Sequence, residues 1–382
     1  MRDRESQRLR VAVAGGSIGG LAAGTALLAA GCEVQVYERT PHRMTSRGAG
    51  IVVQPSLMAL LAEVGAAPLP ATACSHRRYL SPDGGPGELS AMPQRFTSWE
   101  AIYGTLLAAF PPARYHRGAE VSDFAQDAHG GSVTVRFARG ASIEVDLLVC
   151  ADGWRSAARR RLLPQVSPQY AGYIAWRGTL EEADAPPDLA AYFDDTFTFS
   201  EARSGGHALC YFIPGEGAAA TPGQRRLNWV WYVHVAAGPD LDGILADRSG
   251  VRHAGSVPPG EVPEPVAETM RAKAARELHP RFAALIAATP APFVQVIQDL
   301  TVPRMRFGRA CLLGDAAFIV RPHTAGATAK AADDALALAR TAQRGLGGFD
   351  AALARWESER LAAGRAMAQY GLALGRRFAS AR

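Results

Sequence analysis

Apolar and polar positions change period twice within the first forty residues. Arg10–Ala14 is a short apolar run with the pattern of a buried strand. Gly15–Gly20 interrupts it as a glycine-rich turn. Leu21–Ala30 then carries Ala and Leu at helical spacing up to Gly31, a residue suited to a helix C-terminus. Glu33–Tyr37 alternates, as a strand does. Together these predict a β-α-β unit. Pro55–Val64 and Trp99–Ala109 read as helices, and Arg78–Met92 as a hairpin excursion turning at Pro82-Asp83-Gly84-Gly85. Val133–Phe137, Ser142–Glu144 and Asp146–Cys150 read as strands.

From Tyr170 the pattern becomes β-rich, with strands expected at Tyr173–Leu180, Ala191–Phe199, Ala208–Ile213 and Leu227–His234. Ala236–Pro265 is rich in Pro and Gly and reads as a connection. Val266–Leu278 and Arg281–Ala288 read as helices. An apolar strand returns at Arg309–Leu313, and two long helices follow, Ala325–Arg344 and Asp350–Phe378. The expected fold class is α/β: a Rossmann-like dinucleotide domain (1–76, 98–170 and 290–382, with the C-terminal helices) interrupted by a β-rich substrate domain (77–97 and 171–289).

Composition narrows the function. The 382 residues allow a sizeable core, and 48% hydrophobic with 20% charged is ordinary for a globular chain. The net charge is +5, almost all of it Arg, since Lys occurs only at Lys273 and Lys330. The arginines are scattered, which argues against a nucleic-acid surface. Five cysteines without a CxxC or a His cluster argue against a zinc site and a disulfide framework, and fit a reducing cytoplasm. A charged Met1–Arg10 before apolar Val11–Cys32 imitates a signal peptide. The glycine pairs at 15–16 and 19–20 spoil that helix, and the run flows into a strand. No membrane span is expected.

The chemistry rests on three motifs. Gly15-Gly16-Ser17-Ile18-Gly19-Gly20 lies between strand and helix. Gly15 suits the tight turn, Ser17 is small enough for backbone to approach a pyrophosphate, and Gly20 lets helix and strand pack closely. The helix N-terminus at Ile18 offers free N–H groups to phosphate. Glu38, followed by Arg39, ends the second strand where a carboxylate accepts bonds from an adenosine ribose and repels a 2′-phosphate. Asp152-Gly153-Trp154-Arg155-Ser156-Ala157-Ala158-Arg159 follows a strand, and Gly314-Asp315 follows another.

In that order, the three motifs resemble the class A, para-hydroxybenzoate hydroxylase-type FAD monooxygenases, over roughly Leu9 to Leu338. Arg95–Trp99, Tyr173–Gly178 and Gly314–Ala325 resemble most its dihydroxypyridine-hydroxylase branch. The resemblance implies FAD as cofactor, NADH or NADPH as transient reductant, and O2 adding to flavin C4a as a hydroperoxide. It also implies a small hydroxylated aromatic or N-heteroaromatic substrate. Asp315 is then expected at the ribityl hydroxyls, Asp152 near the pyrophosphate, Arg47 and Gln54 at the flavin border, and Pro322 beside its ring. The helix start at Ala325, Gly326 and Ala327 is expected to face the N1–C2=O edge with N–H groups and dipole.

His323, next to Pro322, is the first candidate for a base acting on the substrate hydroxyl. His207 and Tyr211, alternating with Leu209 on one strand face, are expected to line the substrate. Tyr192, Phe197, Trp229 and Trp231 are weaker candidates for the same wall, with plain sheet core as the alternative. The sequence departs from the family pattern at Trp99, Phe318, Ala325–Ala329 and Asp333-Asp334. A flavin reductase or halogenase on this fold remains an alternative, as does a non-catalytic dinucleotide-binding regulator. Trp229-Val230-Trp231 lacks the Ile-Pro of halogenases. The final helix is a candidate homodimer surface.

Overall fold

The computed structural model describes residues 8–44, 50–127, 131–345 and 348–379. Its first layer is a six-stranded sheet in the order Arg306–Phe307, Ala310–Leu312, Leu147–Cys150, Arg10–Ala14, Glu33–Glu38, Tyr115–Arg117. All but Arg306–Phe307 run parallel. Leu147–Cys150 and Ala310–Leu312 are buried along their whole length, which suits strands covered on both faces. Helix Ile18–Ala29 is buried from Ile18 through Leu27 except at Gly19, because Ala327–Ala342 packs on its outer side. The β-α-β unit therefore stands as its periodicity predicts, with Val13 opposite Val36 and Val149.

The second layer is a ten-stranded sheet. Nine strands follow the order Ser256–Val257, Phe293–Thr301, Gln169–Glu181, Arg225–His234, His207–Pro214, Thr196–Glu201, Thr72–Leu80, Glu88–Ser98, Gly50–Val52, and Phe318–Ile319 adds to Phe293–Thr301. Helices Pro187–Phe193, Glu264–Glu277 and Pro280–Ala288 cover one face. Trp176, Trp229, Trp231, Phe193 and Phe282 form that core. The opposite face carries Tyr173, Ala175, Val230, Tyr232 and Ile297.

The structure corrects several boundaries. Ala191–Phe199 is not one strand: helix Pro187–Phe193 ends there, Asp195 turns with φ 52°, and strand Thr196–Glu201 follows. The hairpin is longer than expected, with Tyr79 opposite Glu88. Phe293–Thr301 went unread because Gln295, Gln298 and Asp299 break its apolar pattern. The last domain helices begin at Ala327 and Phe349, since a 3-10 turn, Pro322–Thr324, precedes the first. Trp229, Trp231 and Tyr192 belong to the helix-covered face, so the core alternative holds for them, whereas Phe197 packs with Tyr211. No helix among the described residues is long and apolar enough to cross a membrane.

Candidate active site

Four adjacent parallel strands end on one edge: Ala310–Leu312, Leu147–Cys150, Arg10–Ala14 and Glu33–Glu38. That edge gathers Asp315, Asp152, Gly15 and Glu38 from three distant parts of the chain, in the crevice where open parallel sheets bind ligands. Gly15 takes φ 101°, and a Cβ there would lie 2.3 Å from the Ala151 carbonyl oxygen. At Gly20 a Cβ would lie 1.8 Å from the Gly15 oxygen, so strand and helix meet only through glycine. Glu38 is buried and accepts from the N–H groups of Gly16 and Thr40, both at 2.8 Å. The Tyr115 hydroxyl donates to the Gly16 carbonyl at 2.8 Å and props the loop from below. Ser17 caps the helix with backbone only; its side chain makes no capping bond. Arg39 is exposed beside Glu38.

The Asp152 loop is held by its own motif. Asp152 Oδ2 accepts from Ala157 N–H at 2.7 Å, and Ser156 Oγ accepts from Arg159 N–H at 2.8 Å. The buried Arg159 guanidinium then donates to Trp154 O at 2.5 Å and Ala316 O at 3.2 Å. It ties the Asp-Gly loop to the Gly-Asp turn, which explains why Arg closes the first motif. Asp152 Oδ1 is buried with no hydrogen-bond partner among the described residues. Asp315 is solvent-accessible although protein surrounds it closely, as at the floor of a cleft. Those surroundings raise its carboxyl above the usual range, against the pull of Lys330 and Arg159.

Beyond Asp315 the chain crosses Phe318–Ile319 and turns at Pro322–Thr324. Ala325 takes φ 48°, Gly326 donates its N–H to Thr324 Oγ1 at 3.0 Å, and helix Ala327–Ala342 begins. Gln54 Nε2 approaches the Ala325 carbonyl at 3.4 Å. Lys330 forms a buried ion pair with Asp334 and lies 4.6 Å over the Phe318 ring. Ser56 donates to Asp333 at 2.9 Å. The departures at Phe318 and Asp333-Asp334 thus form one packed set. Arg47 lies outside the described residues.

His323 meets the face of the large sheet opposite its covering helices, where Tyr173, Tyr232 and His207 are buried. Its Nε2 pairs with the Tyr173 hydroxyl at 2.9 Å, and its ring lies 4.4 Å from Tyr232 and 5.4 Å from His207. Burial pushes the His207 imidazole down to about 3, with a further push from His323. Burial and then Arg321 push His323 down to about 4. Both rings are therefore neutral at neutral pH. Arg321 is anchored by Asp299 at 2.7 and 2.9 Å. Tyr211 stands on the same sheet face and stacks on Phe96 at 4.2 Å. Tyr173, His207, Tyr211 and Tyr232 are buried hydrogen-bonding groups of this wall.

The chain is 39% identical over 94% of its length to the 2,6-dihydroxypyridine 3-monooxygenase of Paenarthrobacter nicotinovorans, spanning 88% of that protein. The solved structure of 2,6-dihydroxypyridine-3-hydroxylase from Arthrobacter nicotinovorans superposes with a TM-score of 0.90, at 37% identity, covering 97% of this chain and 93% of that one. The chain belongs to the FAD-dependent monooxygenases of the para-hydroxybenzoate hydroxylase type. A 6-hydroxynicotinate 3-monooxygenase from Pseudomonas fluorescens is 29% identical over 93% of this chain and 88% of its own length. Residues 170–299 match the FAD_binding-like family, described as FAD binding domain-like.

The residues of this monooxygenase suit FAD, its cofactor. Gly15 and Gly20 let strand, loop and helix close up into the tight turn that a pyrophosphate needs, Asp152 keeps one buried oxygen to spare, and Asp315 is exposed at the strand ends. The first N–H groups of helix Ala327–Ala342 have no intrahelical acceptor, as at every helix start. Sequence reading missed Tyr115, the linking role of Arg159, and the wall residues Tyr173 and Tyr232. Tyr173 and Arg177 share a strand face by simple alternation, a signal available without a structure.

Proposed function

We propose that this monooxygenase hydroxylates a small hydroxypyridine, with NADH or NADPH as reductant. In net terms a ring C–H becomes C–OH, the second oxygen atom of O2 leaves as water, and NAD(P)H supplies two electrons. The supporting observation is the neutral pair of His323 and Tyr173, which joins the Pro322–Thr324 turn, a short way beyond Asp315 in the chain, to the large sheet. The dihydroxypyridine and hydroxynicotinate relatives point to the same substrate class.

FAD supplies the redox chemistry and the activated oxygen. The chain's share is binding, orientation and proton handling. Glu38, with Arg39 beside it, would accept the adenosine ribose; Gly15, Ser17, Ile18 and Gly20 would cradle the pyrophosphate. Asp152 would hold the Asp-Gly loop against it, Asp315 would accept ribityl hydroxyls, and Gln54 would fix the Ala325 turn. Ala327 would give its N–H to the polar ring edge, with Ala325 and Gly326, whose own N–H groups are held by Pro322 O and Thr324 Oγ1, forming the turn before it and Pro322 packed beside it. His207 and Tyr211 would wall the substrate. His323 handles protons only together with Tyr173, since Nε2 is already engaged there. The test is NAD(P)H oxidation by the yellow protein with 2,6-dihydroxypyridine, 6-hydroxynicotinate and simple phenols. Stimulation by a hydroxypyridine with a hydroxylated product supports the reading; stimulation by phenols alone sinks it.

A further inference from the structure

Arg177 stands in the middle of the sheet face opposite the helices, among buried Ala175, Val230, Tyr211 and Tyr232. It lies opposite Val230, which in turn opposes Leu209. The neighbouring rows carry Ala175 with Tyr232, and Asn228 with Tyr211. Directly opposed residues of antiparallel strands share a face, so this guanidinium rises between Tyr211 and Tyr232. It is half-buried, and its Nε is buried without a hydrogen-bond partner among the described residues.

It has no counter-charge among the described residues, a condition it shares with the half-buried Arg77 and Arg78, which donate to Gln94 Oε1 and Tyr192 O. The well-buried Arg225, Arg309 and Arg321 each pair with a carboxylate. Arg159 is satisfied by backbone carbonyls. No described Asp or Glu forms an ion pair with Arg177; its charge falls on the phenols of Tyr211 and Tyr232. Burial raises both phenols, so they stay protonated and neutral. The other titratable groups of this wall do not compensate. His207 and His323 are neutral, Tyr173 is raised by burial, and Arg321 with Asp299 cancels. Arg177 hydrogen-bonds the Tyr232 hydroxyl, but a cation held at a partly desolvated wall without a carboxylate partner favours an incoming anion.

We propose that Arg177 is the substrate's anion anchor, so that the site takes its hydroxypyridine in a negatively charged form. This rests on the function proposed above. The charge has two possible sources on such rings, an ionised ring hydroxyl or a ring carboxylate. In the first case the O–H bond breaks before binding. Its proton goes to solvent and its electron pair stays on the ring, where it enriches the carbon to be hydroxylated.

The experiment measures Kd by flavin difference spectra on the holoenzyme and on Arg177→Gln and Arg177→Lys, after confirming equal flavin content and melting. The probes are 2,6-dihydroxypyridine, 6-hydroxynicotinate, and 2-hydroxypyridine, which stays uncharged near neutral pH; azide and benzoate serve as simple anions. The expected result is at least tenfold weaker anion binding in Arg177→Gln, partial rescue by Arg177→Lys, and an unchanged Kd for 2-hydroxypyridine. If the charge is a ring oxyanion, wild-type affinity for 2,6-dihydroxypyridine follows that probe's own ionisation, and the dependence vanishes in Arg177→Gln. If it is a carboxylate, 6-hydroxynicotinate binds tightest and its Kd is flat above the carboxyl titration. Equal weakening of neutral and anionic probes, or no weakening, overturns the anchor. Arg177-dependent binding of azide or benzoate without any hydroxypyridine binding keeps the anchor and removes the substrate reading.

Discussion

The nucleotide edge and the ring-facing wall of the large sheet do their work with different parts of the chain. At the edge, backbone dominates: Gly15 and Gly20 act by lacking side chains, and the helix starts at Ile18 and Ala327 would act through N–H groups. At the wall, side chains dominate, brought from three strands and one turn: Tyr173, Arg177, His207, Tyr211, Tyr232 and His323. Backbone chemistry tolerates little variation, because a single added methyl collides with main chain. Side-chain chemistry allows one scaffold to be re-lined for another ring. On the proposed function, the edge marks the family and the wall would select the substrate.

The largest expected effect breaks the edge. In Gly20→Ala the new Cβ meets a main-chain oxygen at 1.8 Å, which only backbone movement relieves. We expect a colourless protein destabilised by upward of about 3 kcal/mol, read from the flavin absorbance ratio and thermal melting. A yellow, fully loaded variant would contradict the backbone account.

The wall is expected to respond to acid. His207 and His323 have folded-state values lowered to about 3 and about 4 from 6.5. The unfolded chain thus binds more protons between these values. Stability is full above about pH 6.5 and falls as pH drops through 4 towards 3, by a few kcal/mol at most. Urea melts from pH 7 to 4 should show this, with a shallower acid limb in His207→Gln. An unchanged limb would place the imidazole in a less buried setting.

The two faces of the large sheet offer the next contrast. Trp229 lies fully buried on the helix-covered face, where its Nε1 donates to Thr289 at 2.8 Å. Trp229→Leu should cost about 2–4 kcal/mol of stability while leaving ring affinity and turnover unchanged at low temperature. A selective loss of ring affinity would mean that the faces are not separate. The smallest effect is expected at Ala325, whose φ of 48° strains a residue with a Cβ. The strain is worth about 1–2 kcal/mol, and the flexibility of unfolded glycine offsets about 0.5–1 kcal/mol of it. Ala325→Gly should therefore raise the melting temperature slightly; a fall would mean that the Cβ packs usefully.

The same contrast explains what could be read from the chain. The β-α-β unit, Glu38, the Asp152 loop and Asp315 were legible because turn chemistry and strand ends leave local marks. His207, Leu209 and Tyr211 on one face followed from alternation alone. Tyr173 meeting His323 did not, since the two lie far apart in the chain and only sheet topology joins them. The lack of an ion pair at Arg177 among the described residues is a property of three-dimensional neighbours and leaves no mark in the sequence. Trp229 and Trp231 show the limit from the other side: aromatic residues on a strand announce burial, not which layer buries them.

The most direct test of the central claim is oxygen tracing. The purified protein, NADH or NADPH and 2,6-dihydroxypyridine are incubated under 18O2, and the product is weighed by mass spectrometry. One 18O atom in the ring product, with NAD(P)H consumed in step, is the result expected of a flavin-dependent hydroxylase. Reductant consumed and peroxide released with every ring offered, and no label in any product, would contradict it.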